Sequence, residues 1–257
     1  MKLGFIGTGV ISEACIRGLF ASELTIEQVC VSRRSHALSA KLAVDFSNVQ
    51  VLDDNQMIID QSDVIVLAVR PQIAEEVLAG LQIPLNKVVI SLIATLTHTT
   101  LLQWFGQDVN LCRAIPLPFV AQRLGVTAIY PRQQTAETLF NAIGTVITAE
   151  TEDEFDRYAV ASATMGIYFE SLATLSEWMT NEGTPQESAQ RYFAALFKGL
   201  NHTALNHTEQ PFADQVPEHC TPGGLNEQAV NIFTQQGGKD ALIAALDSLK
   251  ARLQGAK

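Results

Sequence analysis

Short apolar runs alternate with amphipathic stretches along the first half of the chain. Lys2–Ile6 is an apolar run that ends in glycine, and Ile11–Phe20 then sets Ile11, Ala14, Cys15, Gly18 and Leu19 at helical spacing. Ile26–Val31 and Val49–Leu52 read as the second and third strands. Asp63–Val69 (DVIVLAV) is a fourth, apolar on both faces, as suits a parallel strand covered by helices on each side. Pro71 breaks that run. Gln72–Leu81 reads as a helix, Lys87–Ile93 as a fifth strand and Thr99–Phe105 as a short helix. Asn110–Ile115, Gly125–Tyr130 and Thr145–Thr148 are further strands. Alternation of this kind predicts a parallel sheet with helices on both faces.

The pattern changes near residue 150. Glu152–Glu182 holds no proline and a single glycine, Gly166, and its apolar residues from Phe155 to Trp178 recur at helical spacing, which predicts one long helix. Thr151 suits its N-cap, and Glu152, Asp153 and Glu154 complement the helix dipole. Gly183 ends it, and Pro185 opens a helix that runs to about Leu205. Gln210–Pro222 reads as a loop. Two last helices, about Gly224–Gln236 and Lys239–Leu253, are separated by Gly237-Gly238. The fold class is therefore α/β. The alternation is that of a Rossmann-type doubly wound sheet over residues 1–150, and an all-helical domain follows over residues 151–257. Helices this apolar need cover, and a homodimer through the C-terminal helices supplies it; the alternative is that they pack on the first domain.

Composition narrows the partners. The chain of 257 residues is 47% apolar and 17% charged, an ordinary globular balance. Its net charge of −10 argues against nucleic acid and against anionic membrane surfaces, but leaves room for a small anion held by local groups. No apolar stretch approaches the roughly 20 residues of a membrane span. Met1–Gly9, interrupted by three glycines, does not read as a signal peptide, so a cytoplasmic chain is expected. Cys15, Cys30, Cys112 and Cys220 form no C-x-x-C pair and no zinc spacing; at least three read as buried thiols, and no metal site is expected. His202 and His207, five residues apart, share no face, His98 reads as a helix start, and Tyr168 as core.

Two segments carry chemistry. Gly7-Thr8-Gly9-Val10-Ile11-Ser12 follows a strand and opens a helix. There Gly7 suits a tight turn and Gly9 a close approach of backbone to a pyrophosphate on the helix N-terminus, while Ser12 replaces the usual third glycine. Ser32-Arg33-Arg34 ends the second strand, where an NAD site carries an acidic residue for the ribose and an NADP site carries Arg for the 2′-phosphate. Two arginines with no carboxylate beside them in sequence favour NADP.

The order of motifs resembles the pyrroline-5-carboxylate reductase family over nearly the whole chain. GFIGTGVIS, VSRRS and AVRPQ (Ala68–Gln72) are similar to that family's cofactor segments, with Ala68, Val69, Arg70 and Pro71 beside the cofactor. Asn55 resembles an Asn on the adenosine side. SLIAT, RAIPLPFVAQRLGVT and EWMTNEG resemble further family segments. CTPGGLN (Cys220–Asn226) is similar to its T-S-P-G-G-T-T, whose backbone amides hold a substrate carboxylate. The resemblance implies an NADPH-dependent reductase of a cyclic imino acid, with hydride passing from NADPH to a C=N carbon in proline biosynthesis. It assigns the carboxylate to Thr221, Gly223 and Gly224 and implies no metal. The chain departs from the family at Thr95, at Leu117-Pro118-Phe119, at Met165 and at Asn226, which stands where the family has a hydroxyl near the imine nitrogen. Asn226 or an ordered water would then hydrogen-bond that nitrogen. A paralogue reducing a different imine or carbonyl, and a non-catalytic NADPH-binding sensor dimer, are the alternatives.

Overall fold

The computed structural model describes residues 1–33 and 35–255. Contacts divide the chain into two units: Met1–Val160 with the residues from Lys250 onward, and Ala161–Leu249. The sequence places the boundary at residue 150. The structure places it ten residues later, because the first turns of the helix that begins at Glu152 pack on the sheet.

The first unit is an eight-stranded sheet. Its strands are β1 (Lys2–Ile6), β2 (Gln28–Ser32), β3 (Val49–Leu52), β4 (Val64–Leu67), β5 (Val88–Ser91), β6 (Asn110–Pro116), β7 (Gly125–Tyr130) and β8 (Gly144–Thr148), in the order β3-β2-β1-β4-β5-β6-β7-β8. The helices between them are α1 (Val10–Phe20), α2 (His36–Asp45), α3 (Asn55–Asp60), α4 (Ala74–Leu78), α5 (His98–Phe105) and α6 (Gln134–Asn141), and α7 (Glu152–Ser162) follows β8. Period-two alternation feeds two apolar layers. Leu3, Phe5, Val29, Val31, Val64 and Val66 pack with Ala14, Cys15, Ile16 and Leu19 of α1. Ile6, Cys30, Ile65, Leu67 and Val89 pack with Ile58, Ile59, Leu78, Leu101 and Phe105 from the opposite face. Each such aliphatic side chain, fully buried, contributes about 1.5–3 kcal/mol.

Three local expectations are corrected. β7 runs antiparallel to β6, so the sheet is not wholly parallel. Only the eight residues 117–124 join the two strands, too few for a crossover. α2 and α6, over residues 36–45 and 134–141, escape the sequence reading; α2 buries only Ser39 and Leu42 and so shows almost no apolar stripe. α4 is a short helix preceded by a 3₁₀ turn at Pro71–Ile73 rather than one helix to Leu81.

The second unit is helical. α8 (Met165–Asn181) and α9 (Gln186–Asn206) pack together as a hairpin, followed by α10 (Phe212–Glu218), α11 (Leu225–Gln235) and α12 (Gly238–Gly255), which belongs to this unit up to Leu249. The single long helix expected over 152–182 is broken. Thr164 donates both its N–H and its hydroxyl to the Ala161 carbonyl, which diverts that carbonyl from the helical ladder. The stretch expected as a loop at 210–222 contains α10. Among the described residues of α8 to α12, only Ser176 and Ala189 are buried. Tyr168, read as core, is 39% exposed and packs edge-on against Phe169 and Phe197.

Candidate active site

β1 and β4 are neighbours, yet the chain leaves β1 towards β2 and enters β4 from β3, so the connections diverge at their carboxyl ends. A crevice between divergent connections is where open α/β sheets bind ligands. Gly7 lies at its floor with φ +103°. A Cβ there would stand 2.5 Å from the Ala68 carbonyl oxygen, so glycine is required twice over, by conformation and by space. The turn is pinned from within. The Gly7 N–H donates to Ser32 Oγ (3.0 Å), the Thr8 hydroxyl to the Ser32 carbonyl (2.6 Å) and the Ser12 hydroxyl to the Gly7 carbonyl (2.6 Å). Thr8, Ser12 and Ser32 are all buried. Their hydroxyls therefore brace the turn, and the surface offered to a ligand is backbone.

That surface fits a pyrophosphate. Gly9 is the N-cap of α1, whose first turn has no side-chain cap, so its amides remain to be satisfied. Among the described residues, none beyond its two chain neighbours has an atom within 4 Å of where a Gly9 Cβ would sit. A side chain would fill this cradle, and a phosphate on a helix N-terminus needs it empty. Val10 is 70% exposed beside it, and Ile11 half-buried.

The other residues expected at the cofactor lie on the same carboxyl edge of the sheet. Arg33 follows β2, and its N–H donates to the Leu52 carbonyl at the end of β3 (3.1 Å). This pairing brings Asp53 to Arg33, with Nε to Oδ1 at 2.6 Å. The sequence shows no carboxylate near the arginines; strand pairing supplies one. The contact holds the guanidinium by Nε, on the side away from its terminal fork. Arg34 lies outside the described residues. Asn55 is the first residue of α3, half-buried, just after Asp54, whose carboxylate accepts the Gln56 N–H (2.8 Å). The Ala68 N–H donates to the Ile6 carbonyl (2.8 Å), Val69 is buried, and Arg70 and Pro71 are exposed where the 3₁₀ turn begins.

Sequence reasoning missed a buried polar hub two strands away. Arg113 on β6 is 1% exposed. Its Nη1 meets Glu152 Oε1 at 2.7 Å, its Nη2 reaches the Ala94 carbonyl at 2.9 Å and Asp156 Oδ1 at 3.4 Å, and its Cζ lies 4.4 Å from the Phe155 ring centre. Among the described residues Nε has no hydrogen-bond partner. Glu152 Oε1 also accepts the His98 N–H (2.9 Å) at the start of α5. An arginine inside an apolar strand was itself the available signal, since arginine is almost never fully buried unpaired.

In the second unit Thr221, Pro222, Gly223 and Gly224 form the turn that opens α11. Its amides, expected to be open for a carboxylate, are engaged. The Gly223 N–H donates to Glu227 Oε2 (2.8 Å) and the Gly224 N–H to the Thr221 carbonyl (2.8 Å). The Asn226 side-chain amide donates to the His219 carbonyl (2.9 Å). The reason is local: a Glu at the third helical position reaches back to the turn, as in a capping box. Asn226 and Cys220 border an apolar pocket of about 480 Å³ lined also by Leu196, Leu200, Phe212 and Val216. Cys15, Cys30 and Cys112 are buried, and burial pushes the thiols of Cys15 and Cys112 up to about 12, so neither is a nucleophile at neutral pH. Among the described residues no group of three or more His, Cys, Asp and Glu side chains is arranged to hold a metal, and no helix is long and apolar enough to cross a membrane.

Comparison with known proteins matches both halves of the chain. Residues 2–95 match the model of the family described as NADP oxidoreductase coenzyme F420-dependent, and residues 152–255 match that described as pyrroline-5-carboxylate reductase dimerisation. The pyrroline-5-carboxylate reductase of Pseudomonas aeruginosa is 25% identical, covering 98% of this chain and 95% of its own, and that of Escherichia coli is 27% identical, covering 95% and 94%. The crystal structure of a Plasmodium falciparum pyrroline carboxylate reductase with NADP bound shares the fold, with a TM-score of 0.86 at 18% identity over 100% of this chain and 98% of that one. The chain thus matches an oxidoreductase model over residues 2–95 and a pyrroline-5-carboxylate reductase dimerisation model over residues 152–255, and it is similar over nearly its whole length to pyrroline-5-carboxylate reductases.

Proposed function

We propose that the protein is an NADPH-dependent reductase of a cyclic imino acid, of the pyrroline-5-carboxylate reductase type that serves proline biosynthesis. The observation that carries this reading is the open Gly9 cradle at the β1/β4 crevice, with Arg33 at the end of the neighbouring strand. NADPH, when bound, supplies the hydride that adds to the C=N carbon. The chain's own part is binding and orientation. Backbone of Gly7, Thr8, Gly9, Val10 and Ile11 takes the pyrophosphate. Arg33, steadied by Asp53, takes the 2′-phosphate together with Arg34, and Ser32 keeps the two segments in register. Asn55 lies on the adenosine side, and Ala68, Val69, Arg70 and Pro71 form the next wall of the crevice.

In the second unit we assign the substrate carboxylate to the Thr221, Gly223 and Gly224 turn, where it would displace the Glu227 carboxylate from the Gly223 amide, and Asn226 to the imine nitrogen. The Asn226 amide nitrogen carries two protons; one goes to His219, and the other is left to donate to substrate. An amide is no proton source at neutral pH, so the proton that completes the amine comes from water in this reading. The exposed apolar side chains of the helical unit and its match to a dimerisation family support a homodimer. Unpaired cysteines suit a reducing compartment, and we place the protein in the cytoplasm.

Purified protein given pyrroline-5-carboxylate should consume NADPH in proportion to proline formed. Absence of turnover over a panel of cyclic imino acids would overturn the assignment. One observation favours a second reading. Glu227 already places a carboxylate on the Gly223 amide, which suits an imine that brings no carboxylate of its own. Cyclic imines without a carboxylate belong in the same panel, and a higher kcat/KM for them would replace the imino acid as substrate class.

A further inference from the structure

Resting on the reading of the protein as an NADPH-dependent reductase, we propose that Arg113, with Glu152 as its partner, is the positioning residue for the hydride-donor end of the cofactor site. With the 2′-phosphate at the end of β2 and the pyrophosphate over the β1–α1 turn, the nicotinamide end points the other way along the sheet edge, past β4 towards β5. The wall it meets there is the segment from Leu92 to Thr97 between β5 and α5. That segment begins beside the crevice, since the Leu92 N–H donates to the Leu67 carbonyl (2.8 Å), one residue before Ala68.

The Arg113 hub grips this segment at two points. Nη2 holds the Ala94 carbonyl at 2.9 Å, and Glu152 Oε1, shared with Nη1, holds the His98 N–H at 2.9 Å. Arg113 pairs in register with Ser91, the last residue of β5, so the guanidinium reaches over the end of the strand that launches the loop. The Ser91 hydroxyl in turn accepts the Ile93 N–H (3.3 Å). A charge this deeply buried is costly unless paired; both terminal nitrogens of Arg113 are engaged, and their contacts link β6, the β5–α5 segment and the start of α7. A buried Arg–Glu pair is weak evidence for stability; what it supplies here is two backbone contacts on one loop, at Ala94 and His98. Arg113 touches neither cofactor nor substrate in this assignment; it acts through the backbone of Ala94 and His98.

Arg113→Lys and Glu152→Gln carry the test, with Arg113→Met as the unfolding control. We expect kcat for the imino acid to fall about 10- to 100-fold from a displaced hydride donor, while KM for NADPH changes by less than about threefold. The primary isotope effect with NADPH deuterated at the transferred position should rise as the chemical step becomes limiting. A purely structural role would lower the melting temperature and leave kcat per folded molecule and the isotope effect unchanged; that result overturns the proposal. A second readout needs no turnover. Binding of NADPH followed by its nicotinamide fluorescence should keep its Kd within about threefold but lose the emission change that accompanies binding to the native chain. Unaltered emission in both variants also overturns the proposal. Should the native chain reduce no imine at all, the proposed function fails while the fluorescence arm still decides the role of Arg113.

Discussion

Two glycines two residues apart do opposite work. Gly7 has a left-handed φ and no space for a Cβ against Ala68, so Gly7→Ala should destabilise the fold by roughly 2 kcal/mol or more, read as a fall in denaturant midpoint. Gly9 has open space, so Gly9→Ala should leave stability within about 0.5 kcal/mol and weaken NADPH by about tenfold or more. A fluorescence titration against a thermal melt separates the two. Arg33→Ala combined with Arg34→Ala should raise the Kd for NADPH far more than that for NADH, by about tenfold or more, one charge-assisted bidentate contact being worth about 1.5–3 kcal/mol; equal losses would contradict a 2′-phosphate site. At this scale the sequence was legible for backbone-driven features. The G-x-G turn and the arginines could be read because their chemistry is local. Asp53 and Glu227 could not be foreseen as partners of Arg33 and Gly223, because strand pairing and side-chain reach decide those contacts.

At the scale of elements, α7 concentrates interactions that a periodicity reading treats as a plain acidic helix start. Thr151 caps it, its hydroxyl accepting the Glu154 N–H (3.1 Å) as its sequence predicts. The Glu154 carboxylate accepts the Glu150 N–H and then the Tyr158 hydroxyl, both at 2.9 Å, and these bonds hold its pKa below the ordinary value of 4.5. A lowered folded-state pKa contributes stability that is fully present above the unfolded value and lost as pH falls through the folded one. Glu154→Gln should therefore melt slightly lower than the native chain at pH 7, and the gap should close as pH drops below 4.5. The break between α7 and α8 shows the converse limit. Apolar spacing runs on through residues 163 and 164, but Thr164 turns its hydroxyl onto the Ala161 carbonyl and ends the ladder.

For the whole molecule, the decisive contrast is between a first unit with two closed apolar layers and a second that buries almost nothing by itself. Phe169, Trp178, Tyr192, Leu225 and Ile243 are all more than half exposed there. Water in contact with that much apolar surface is unfavourable by about 25 cal/mol per Å², which is why sedimentation at micromolar concentration should give twice the 28.0 kDa chain mass. A monomeric mass would refute the homodimer.

The amino-acid sequence determined by itself the βα alternation, the place of the glycine turn after the first strand, the arginines after the second strand and the helical second half. Each follows from local periodicity or from a residue's own conformational and charge preferences. Tertiary structure alone decided the antiparallel turn into β7, the Asp53 contact that orients Arg33, the closure of the Gly223 amide by Glu227 and the burial of Arg113 among Ala94, Glu152 and Asp156. These contacts join residues brought together by sheet order or side-chain reach, and a charge on a strand shows its partner only once the neighbouring strands and helices are in place.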